Sequence, residues 1–463
     1  MNGMKSKLII CFLSIFILCV ANVSAAVRPE TYGAKGDGIT DDTHAFEKAI
    51  STGEDILLEG IYRIGTIQLK PSQTLMGNKN SKLIYHSVIV IDGCCLKGVI
   101  FDGQWKTKGV SILGSDVKVT GCSFLNTRGT MSDYGGLTSA LWIGKYHDLK
   151  DNKLKYHDIL IKNCLFDGCE PVDKVNKVSE NKTVARCILS YGCNNLRIEG
   201  CTFKNLKGYY DSDFIQLCSY EVPCQDYPYY DENPSWQGST PPFPGNYYAD
   251  APTTIKNCVF YQSNCKSSIK VMSSNVVIKK NHFIVNNARN EETYSIVRVH
   301  RARQASVCNN IIEIQSGRVN NVFTLGNADN VHIYKNSITG NNECKLTSYI
   351  GCTYSNCCLI CKNIFRANNI SALITSEFNH LINISSNTFK LDVNEDQNLF
   401  TQISNHHSYP SKEVGNLTFQ KNKIEIPIDG DLSINLRNRY DYPVDFKLNK
   451  LKTNNRNSKI KIK

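Results

Sequence analysis

The sequence predicts an all-β protein built as a single-stranded, right-handed parallel β-helix, because one phrase of residues repeats along most of the chain. The phrase reads apolar-x-apolar-x-x-(Asn or Cys)-x-(Phe or Ile) and recurs about ten times in the 463 residues. Apolar residues at period two indicate short strands, and a repeat of this length is typical of a solenoid with stacked coils. The copies end at Phe124, Phe166, Phe203, Phe260, Phe283, Ile312, Ile338, Phe365, Phe389 and Ile424.

The sixth position of the phrase is predicted to lie at an inward turn, where each side chain meets its equivalents in the coils above and below. Later copies hold asparagine at this position, and earlier copies hold Cys122, Cys164, Cys201 and Cys258. We therefore interpret these four cysteines as stacked thiols rather than disulfides. Cys218 and Cys224 are a candidate disulfide in a long loop, and no cysteine and histidine spacing fits a zinc site.

The first 25 residues are predicted to be a secretory signal. Two lysines precede the apolar run Leu8–Val20, and small residues precede a cleavage site before Ala26. The run is too short for a transmembrane anchor, so we expect a periplasmic or secreted protein without membrane insertion. No linker divides the chain, and we expect one β-helix domain over residues 26–446 and a mobile basic tail over residues 447–463.

The formal net charge of +11 favours an acidic partner. A solubilising surface would give the same charge, so charge alone does not decide the point. Export makes nucleic acid a poor substrate and an acidic extracellular polysaccharide a good one. We expect the protein to act as a monomer on such a polymer.

The segment Thr31–Ile50 reads TYGAKGDGITDDTHAFEKAI and predicts a glycine turn followed by a helix. Asp41 or Asp42 can cap the helix, and Asp37 is a turn residue. The apolar face of this helix is formed by Ala45, Phe46, Ala49 and Ile50. This segment resembles the opening motif of the pectate-lyase-like β-helix superfamily, in which it caps the first coil. The resemblance implies the fold and leaves the activity open, because the superfamily contains both lyases and hydrolases.

A long insertion, residues 220–252, is rich in proline, glycine and aromatic residues. Its composition excludes regular structure, and Tyr230 and Trp236 could stack on sugar rings. A lid that packs over one edge of the rod is the alternative. Loops of this length in a compact domain are usually functional.

Polar residues at one strand position are predicted to line up on the outside of the rod. In four successive coils, apolar residues flank a single residue that should point outward. These residues are Gln216, Lys270, Arg298 and Thr324. Strand spacing puts successive members about 4.8 Å apart. Next to them the sequence places Asp211, Asp213, His300, Arg301 and Arg303.

This set of groups suits a lyase that acts on uronic acids. Such an enzyme must neutralise the substrate carboxylate, remove the neighbouring C5 proton and assist the departing O4. Arg298 and Arg301 are the candidate carboxylate or sulfate binders, since guanidinium groups hold carboxylates with two bonds. Lys270 and His300 are the candidate base and acid. Further substrate-binding candidates are Gln216, Asp213, Arg303, Tyr210, Tyr230 and Trp236, with Tyr209 in reserve as an acid or base.

Calcium is the one cofactor that a resemblance to β-helix lyases implies, because some of these lyases use it to neutralise the carboxylate. Asp211 and Asp213 are the local acidic pair that could bind it. The alternative is that arginine side chains neutralise the carboxylate without a metal ion.

The segments VMSSNVVIKKNHF and VHRARQASVCNN resemble the core of β-helix lyases that cut chondroitin, dermatan and alginate. Met272 stands where that family has its lysine, and His300-Arg301 inverts the family's Arg-His pair. The resemblance implies β-elimination on a uronate polymer, with glycosaminoglycans such as chondroitin sulfate, dermatan sulfate or hyaluronan first, then alginate or pectate. The alternatives are a polygalacturonase-like hydrolase and a noncatalytic polysaccharide-binding protein or adhesin.

Overall fold

The computed structural model describes most of the chain from Ala26 onward. The described residues are 26–129, 137–145, 154–171, 184–208, 212–218, 251–263, 265–288, 292–353, 355, 357–367, 369–377, 381–391, 399–403, 416–425, 432–437, 444–445, 448–452 and 460–462. The predicted signal (residues 1–25) and nearly all of the aromatic insertion lie outside them.

The first coil is capped as the sequence predicts. A 3₁₀ turn, Pro29–Tyr32, precedes the helix Thr43–Ser51, whose apolar face is buried. The carboxylate of Asp41 accepts the Thr43 N–H at 3.0 Å. The carboxylate of Asp42 accepts the Lys35 N–H at 2.7 Å and so fixes the glycine turn before the helix. The predicted cap bond is therefore made by Asp41, whereas Asp42 stands at the N-cap position and its side chain makes no cap hydrogen bond.

Each coil contributes up to three short parallel strands, which stack into three ribbons along the rod. Ribbon 1 is a 14-stranded sheet. Its strands are Ile56–Leu57, Thr74–Met76, Cys95–Lys97, Lys118–Thr120, Tyr156–Lys162, Cys193–Glu199, Thr253–Lys256, Val276–Lys279, Ala305–Cys308, His332–Tyr334, Cys358–Cys361, Leu381–Ser385, Asn416–Gln420 and Val444–Asp445.

Ribbons 2 and 3 join into one 26-stranded sheet, because Ile61–Gln68, Lys82–Val90 and Ile311–Asp329 each run through both ribbons. Ribbon 2 also contains Asp37–Asp41, Ile100–Asp102, Ser123–Thr127, Leu165–Cys169, Thr202–Leu206, Val259–Gln262, His282–Asn286, Ser337–Gly340, Ile364–Ala367, Thr388–Leu391, Lys423–Glu425 and Lys450–Lys452. Ribbon 3 also contains Gly109–Ile112, Leu137–Ile143, Val184–Tyr191, Asp213–Cys218, Ser267–Met272, Glu292–Arg303, Cys344–Thr353, Ile370–Glu377, Leu399–Ile403, Leu432–Arg437 and Ile460–Ile462. This is the predicted right-handed parallel β-helix.

The turn from ribbon 1 to ribbon 2 explains the repeated phrase. The residue before each Cys or Asn has a left-handed backbone, for example φ 62° at Gly121, 53° at Asn163 and 55° at Lys280. The chain therefore turns sharply, and the following side chain points inward. We call this series of inward side chains the inner ladder: Cys122, Cys164, Cys201, Cys258, Asn281, Asn310, Asn336, Asn363, Asn387, Asn422 and Asn449.

Asparagines of the inner ladder bond to one another through successive coils. The Asn336 amide donates to Val307 O and to Asn363 Oδ1, each at 2.9 Å. Its own Oδ1 accepts the Asn310 backbone N–H at 3.0 Å. Because these groups are buried, the ladder satisfies polar atoms that would otherwise cost about 1–3 kcal/mol each.

The predicted thiol stack is confirmed for the four cysteines of the inner ladder. The Cys164 thiol donates to Val119 O at 3.5 Å, and the Cys164 N–H donates to Cys201 Sγ at 3.5 Å. No disulfide joins two cysteines within the described ranges. Cys224, the proposed partner of Cys218, lies outside them.

Aromatic rings fill the core beside the inner ladder. Phe124, Phe166, Phe203, Phe260 and Phe283 are fully buried and stack with ring centroids 4.8–4.9 Å apart. Burial of each ring contributes about 1.5–3 kcal/mol, and offset stacking adds to it. The last position of the phrase is therefore the main apolar contact between coils.

The C-terminal segment differs from the expected mobile tail. Lys450–Lys452 pairs with Lys423–Glu425, and Ile460–Ile462 pairs with Leu432–Arg437. The strands alternate basic and apolar residues, so the basic composition hides a pattern typical of strands. Among the described residues, no helix is both long and apolar enough to cross a membrane.

Candidate functional site

Parallel pairing in ribbon 3 sets the predicted polar residues directly above one another. Gln216 pairs with Lys270, Lys270 with Arg298, and Arg298 with Thr324. Their strand neighbours, such as Ile269 and Val271, point into the core, so this series lies on the outer side of the strands. We call ten successive members of this series the outer column: Ile89, Ser111, Trp142, Leu189, Gln216, Lys270, Arg298, Thr324, Gly351 and Thr375.

Three polar members of the outer column are covered rather than fully solvated. Gln216 is 7% exposed, Lys270 6% and Thr324 8%, whereas Arg298 is half-buried. A lysine this deeply covered is unusual, because removing an ammonium group from water costs free energy unless partners replace the water. Its burial distinguishes Lys270 from an ordinary solvated surface charge.

Arg186 joins these residues and was missed by sequence reasoning. It is 5% exposed, and its Nε donates a hydrogen bond to Gln216 Oε1 in the next coil. Gln216 Nε2 in turn donates to Cys218 Sγ at 3.1 Å. The signal was present in the sequence, since Arg186-Cys187-Ile188-Leu189 repeats the apolar pattern of the following coils.

Asp213 lies one coil after Arg186 and pairs with it in register. Its side chain is fully buried. Burial raises the pKa of the Cys265 thiol, and the negative charge of Asp213 raises it further. The Asp213 carboxylate therefore lies close to the buried Cys265 thiol. We call Arg186, Asp213, Gln216, Lys270 and Arg298 the polar cluster. It contains three cationic groups and one carboxylate.

An aromatic ring positions the cations at the downstream edge of the polar cluster. The guanidinium carbon of Arg298 lies 5.2 Å from the ring centroid of Tyr294, and Lys266 Nζ lies 5.0 Å from the same centroid. Such cation–π contacts are worth about 0.5–2 kcal/mol, depending on solvent exposure. Tyr294 therefore restricts where the Arg298 side chain can reach.

His300 follows Arg298 by two positions and projects from the same side of the strand. In the next coil it pairs with Gly326. A Cβ on Gly326 would lie 2.7 Å from His300 Nδ1, so the imidazole occupies space that only glycine leaves open. The structure thus brings His300 next to the polar cluster.

Other predicted site residues are not brought together in the described structure. Arg303 lies five positions beyond Arg298, about 16 Å along the strand, and its Nε is 3.9 Å from Asp329 Oδ2. Its prediction as a substrate-binding residue of this cluster is not supported by that placement. The side chain of Arg301 lies outside the described part of the structure, as do Tyr209, Tyr210, Asp211, Tyr230 and Trp236.

The calcium prediction stays a prediction, because Asp211 lies outside the described residues. Among those described, the one group that could hold a metal is Asp116, His157 and Asp158, whose candidate ligand atoms all lie within 4.8 Å of one another. It is exposed and belongs to another turn of the rod. Hydrogen bonds from His157 and Asn195 lower the pKa of Asp158, which accounts for this group as a turn structure.

Upstream of the polar cluster, the outer column is mostly apolar, with Ser111 as its one polar member. Trp142, Leu189, Tyr191 and Cys218 form a small cluster separate from the main core, with Leu137 and Met272 packed against it. The indole N–H of Trp142 donates to Lys108 O at 2.9 Å. Within the outer column, the residues therefore change from mostly apolar to mostly polar between Leu189 and Gln216.

Comparisons with known proteins give distant similarities. No protein-family model matches the chain. The pre-neck appendage protein of Bacillus phage phi29 is 42% identical over 59 residues, which are 12% of this chain and only 7% of that protein.

Among solved structures, the chain is similar to the surface adhesin PfbA of Streptococcus pneumoniae, at 14% identity and a TM-score of 0.43, over 95% of this chain and 100% of that chain. It is similar to tailspike protein 3 of bacteriophage CBA120, at 15% identity and a TM-score of 0.45, over 85% of this chain and 63% of that chain. It is also similar to the A-module of a mannuronan C-5 epimerase of Azotobacter vinelandii, at 12% identity and a TM-score of 0.42, over 83% of this chain and 100% of that module. Similarities at this level carry no assignment of function, which therefore depends on the polar cluster.

Proposed function

We propose that this protein is an exported polysaccharide lyase that cleaves a uronate-containing polymer by β-elimination at the polar cluster. The observation that carries the proposal is the register of Gln216, Lys270 and Arg298 on neighbouring rungs of one outer column. Glycosaminoglycans of the chondroitin, dermatan or hyaluronan type are the first candidate substrates, followed by alginate and pectate. The N-terminal signal predicted from the sequence supports export.

The charge of the polar cluster supports an anionic substrate. The three cations Arg186, Lys270 and Arg298 outnumber the one carboxylate, Asp213. Arg186, Lys270 and Asp213 are buried, and Arg298 is half-buried. Charge interactions are stronger where water is excluded. A uronate carboxylate placed beside Arg298 would be neutralised, and its C5 proton would become easier to remove.

The positions of the titratable groups suit proton transfer at two neighbouring atoms of one sugar residue. Lys270 lies on the coil before Arg298, about 4.8 Å away by strand spacing, and His300 lies about 6.6 Å further along the strand. We assign one of Lys270 and His300 the role of base at C5 and the other the role of acid at O4. Arg186 holds Gln216 in place, and Gln216 is a positioning residue for the sugar.

The number of carboxylates in the described part of the polar cluster also favours elimination over hydrolysis. Glycoside hydrolysis needs two carboxylic acids on opposite sides of the glycosidic bond. Within the described part of the polar cluster, Asp213 is the one carboxylate, and it faces the core beside Cys265. A pair of acids spaced for hydrolysis is therefore not seen among these residues.

The test is a screen of the purified protein against chondroitin sulfate, dermatan sulfate, hyaluronan, alginate and pectate. Elimination leaves a conjugated double bond on the new non-reducing end, so ultraviolet absorbance should rise with at least one polymer. A hydrolase would release reducing ends without this absorbance. A noncatalytic binding protein would retain a polymer and release neither product.

A further inference from the structure

A third series of side chains runs beside the outer column, three positions earlier on each strand of ribbon 3. We call it the corner column, and parallel pairing sets its members above one another through successive coils. Small residues occupy most of its rungs, and the larger exceptions are Arg186, Asp213 and Asn321. The corner column is Ser139, Arg186, Asp213, Ser267, Ser295, Asn321, Ser348 and Ala372.

Serine can serve a purely local role in the corner column. The Ser139 hydroxyl donates to Leu141 O, and the Ser295 hydroxyl donates to Val297 O, each at 3.0 Å. Such a bond between a serine and the backbone two residues away needs no partner from another coil. Serine is therefore a structural solution that can be repeated from coil to coil, and a larger residue at this position indicates a different role.

Two of the three larger residues, Arg186 and Asp213, already belong to the polar cluster. Asn321 is the third, and it is the member that reaches the solvent. It is half-buried, whereas every other member of the corner column is at most 5% exposed. Among the described residues, Asn321 Nδ2 donates no hydrogen bond. An exposed amide with unused donors can bind a ligand without first giving up a partner in the protein.

Two neighbours fix the position of the Asn321 amide. The Ser348 hydroxyl donates to Asn321 Oδ1 at 2.6 Å. The amide also lies over Gly351 in the next coil, since a Cβ there would be 2.9 Å from Asn321 Nδ2. Gly351 is a rung of the outer column, so the Asn321 amide occupies the place of the side chain that this rung lacks.

Arg186 shows the same geometry at the other end of the polar cluster. It lies in the corner column and bonds to Gln216, the outer-column residue of the next coil. Asn321 likewise lies over the outer-column residue of the next coil, but that residue is Gly351 and offers no side-chain partner. The Nδ2 group of Asn321 is therefore left for a ligand on the outer wall.

The two columns are uncharged where Asn321 lies. Downstream of Arg298, their members are the neutral residues Thr324, Gly351, Thr375, Asn321, Ser348 and Ala372. A carboxylate bound over these residues would lose water without gaining an opposite charge from them, which costs free energy. Hydroxyl and amide groups suit an uncharged sugar instead.

We propose that Asn321 is a specificity-determining residue, whose Nδ2 donates a hydrogen bond to a hydroxyl or acetamido oxygen of an uncharged sugar beside the reacting uronate. Gly351 lies two rungs, about 10 Å, downstream of Arg298 along the rod axis. An extended chain with its uronate at Arg298 therefore brings a neighbouring sugar to Asn321. This inference rests on the proposed function for the reaction, and it adds that the preferred polymer carries uncharged sugars next to its uronates.

The test compares Asn321→Ala with Asn320→Ala, the matched control. Asn320 precedes Asn321 on the strand, is also half-buried, and accepts a hydrogen bond from Thr347 in the next coil at 3.4 Å. Asn321→Ala should leave the fold intact, because the Ser348 hydroxyl also lies 3.1 Å from Ile350 O and keeps that acceptor. The thermal midpoint of each variant checks this point.

Hyaluronan is the test polymer, because uncharged amino sugars alternate with its uronates. Alginate and pectate are the comparison polymers, because their backbones are built from uronates. The kinetic constants kcat and KM are measured on each polymer. Binding of hyaluronan and alginate oligosaccharides of equal length is measured by calorimetry.

We expect Asn321→Ala to raise KM and Kd on hyaluronan about tenfold, the effect of one lost hydrogen bond. The value of kcat should change little, since the contact is made equally in the bound substrate and in the transition state. On alginate and pectate the variant should match the unmodified protein, and Asn320→Ala should match it on every substrate. Unchanged KM and Kd on hyaluronan, equal losses in the two variants, or an equal loss on all polymers would each overturn the proposal.

Failure of the proposed function would look different. If no polymer is cleaved but the Kd for hyaluronan oligosaccharides still rises in Asn321→Ala alone, the sugar site stands and the lyase does not. If cleavage proceeds normally and KM on hyaluronan is the same in all three proteins, the lyase stands and the role of Asn321 is wrong. If hyaluronan is neither bound nor cleaved, the role of Asn321 is wrong, whichever other polymer is cleaved.

Discussion

The inner ladder and the outer column run along the same rod, but residue types repeat from coil to coil in the first and vary in the second. In the inner ladder, one kind of side chain repeats over many successive coils, first cysteine and then asparagine, and each asparagine bonds to the next, as Asn336 does to Asn363. In the outer column, successive rungs carry different groups, such as Trp142, Gln216 and Lys270. A repeated group indicates a structural solution that works in any coil. A position that changes from rung to rung is not needed for stacking and is available for chemistry.

The inner ladder also has a cysteine part and an asparagine part, which bond to buried backbone carbonyl groups in different ways. Asn281 Nδ2 donates to Ile255 O at 3.0 Å, whereas the Cys201 thiol donates to Ile161 O at 3.7 Å. Thiols are weak donors, so the cysteine half gains less from each bond and more from apolar packing. Substitutions at matched positions should separate these contributions.

The largest effect is expected from Asn336→Ala in the inner ladder. The change leaves Val307 O and the Asn310 N–H without their amide partners inside the core. We expect the free energy of unfolding to fall by about 3 kcal/mol, measured by chemical denaturation. The kcat of the remaining folded protein should be unchanged. A variant as stable as the unmodified protein would contradict the structural role of the ladder.

Lys270→Ala and His300→Ala in and beside the outer column should show the reverse pattern. Each should lower kcat about a hundredfold or more, the scale of lost general acid–base help, or about 2.7 kcal/mol of activation free energy. Far-ultraviolet circular dichroism and the denaturation midpoint should change little. Near-normal rates in both variants would remove this site from consideration.

Gly326→Ala tests the space in which His300 lies. The added methyl group would be 2.7 Å from His300 Nδ1 and must displace the ring. We expect kcat to fall about tenfold, since small misplacements of a catalytic group are costly. Gly351→Ala, one coil further, meets the Asn321 side chain instead and should keep kcat within about threefold of the unmodified protein. Equal effects of the two variants would argue against a role for His300.

Cys201→Ala is the smallest change and the counterpart of Asn336→Ala. It removes a weak donor and a small apolar group, so we expect the free energy of unfolding to fall by about 1 kcal/mol. The difference between the two ladder variants measures how much the amide bonds add over thiol packing. A loss at Cys201 as large as that at Asn336 would show that packing dominates in both halves.

Much of the fold could be predicted because the phrase repeats with a fixed position for its Cys or Asn. Once that position is aligned, strand pairing follows, and with it the stack of Gln216, Lys270 and Arg298. Arg186 was missed because a charged segment precedes its strand and conceals the alignment of that coil. The C-terminal strands were missed because residues 450–452 and 460–462 alternate lysine with leucine or isoleucine, and their charge suggests a mobile tail.

The placement of side chains was harder to predict than the pairing of backbones. Arg303 is close to Arg298 in sequence, but the extended strand separates the two residues, and the Arg303 side chain lies near Asp329 instead. The burial of Lys270 also could not be read from the pattern, since an outward position on a strand is normally exposed. Both facts depend on what surrounds a residue in neighbouring coils.

The central claim is that the polar cluster performs β-elimination, and it is tested most directly by counting two kinds of chain end in one reaction. Unsaturated ends are measured by ultraviolet absorbance and reducing ends by a colorimetric assay, for the unmodified protein and for Lys270→Ala. We predict one unsaturated end for each new reducing end, with both formed about a hundredfold more slowly by the variant. New reducing ends without unsaturated ends, or equal rates in the two proteins, would contradict the assignment.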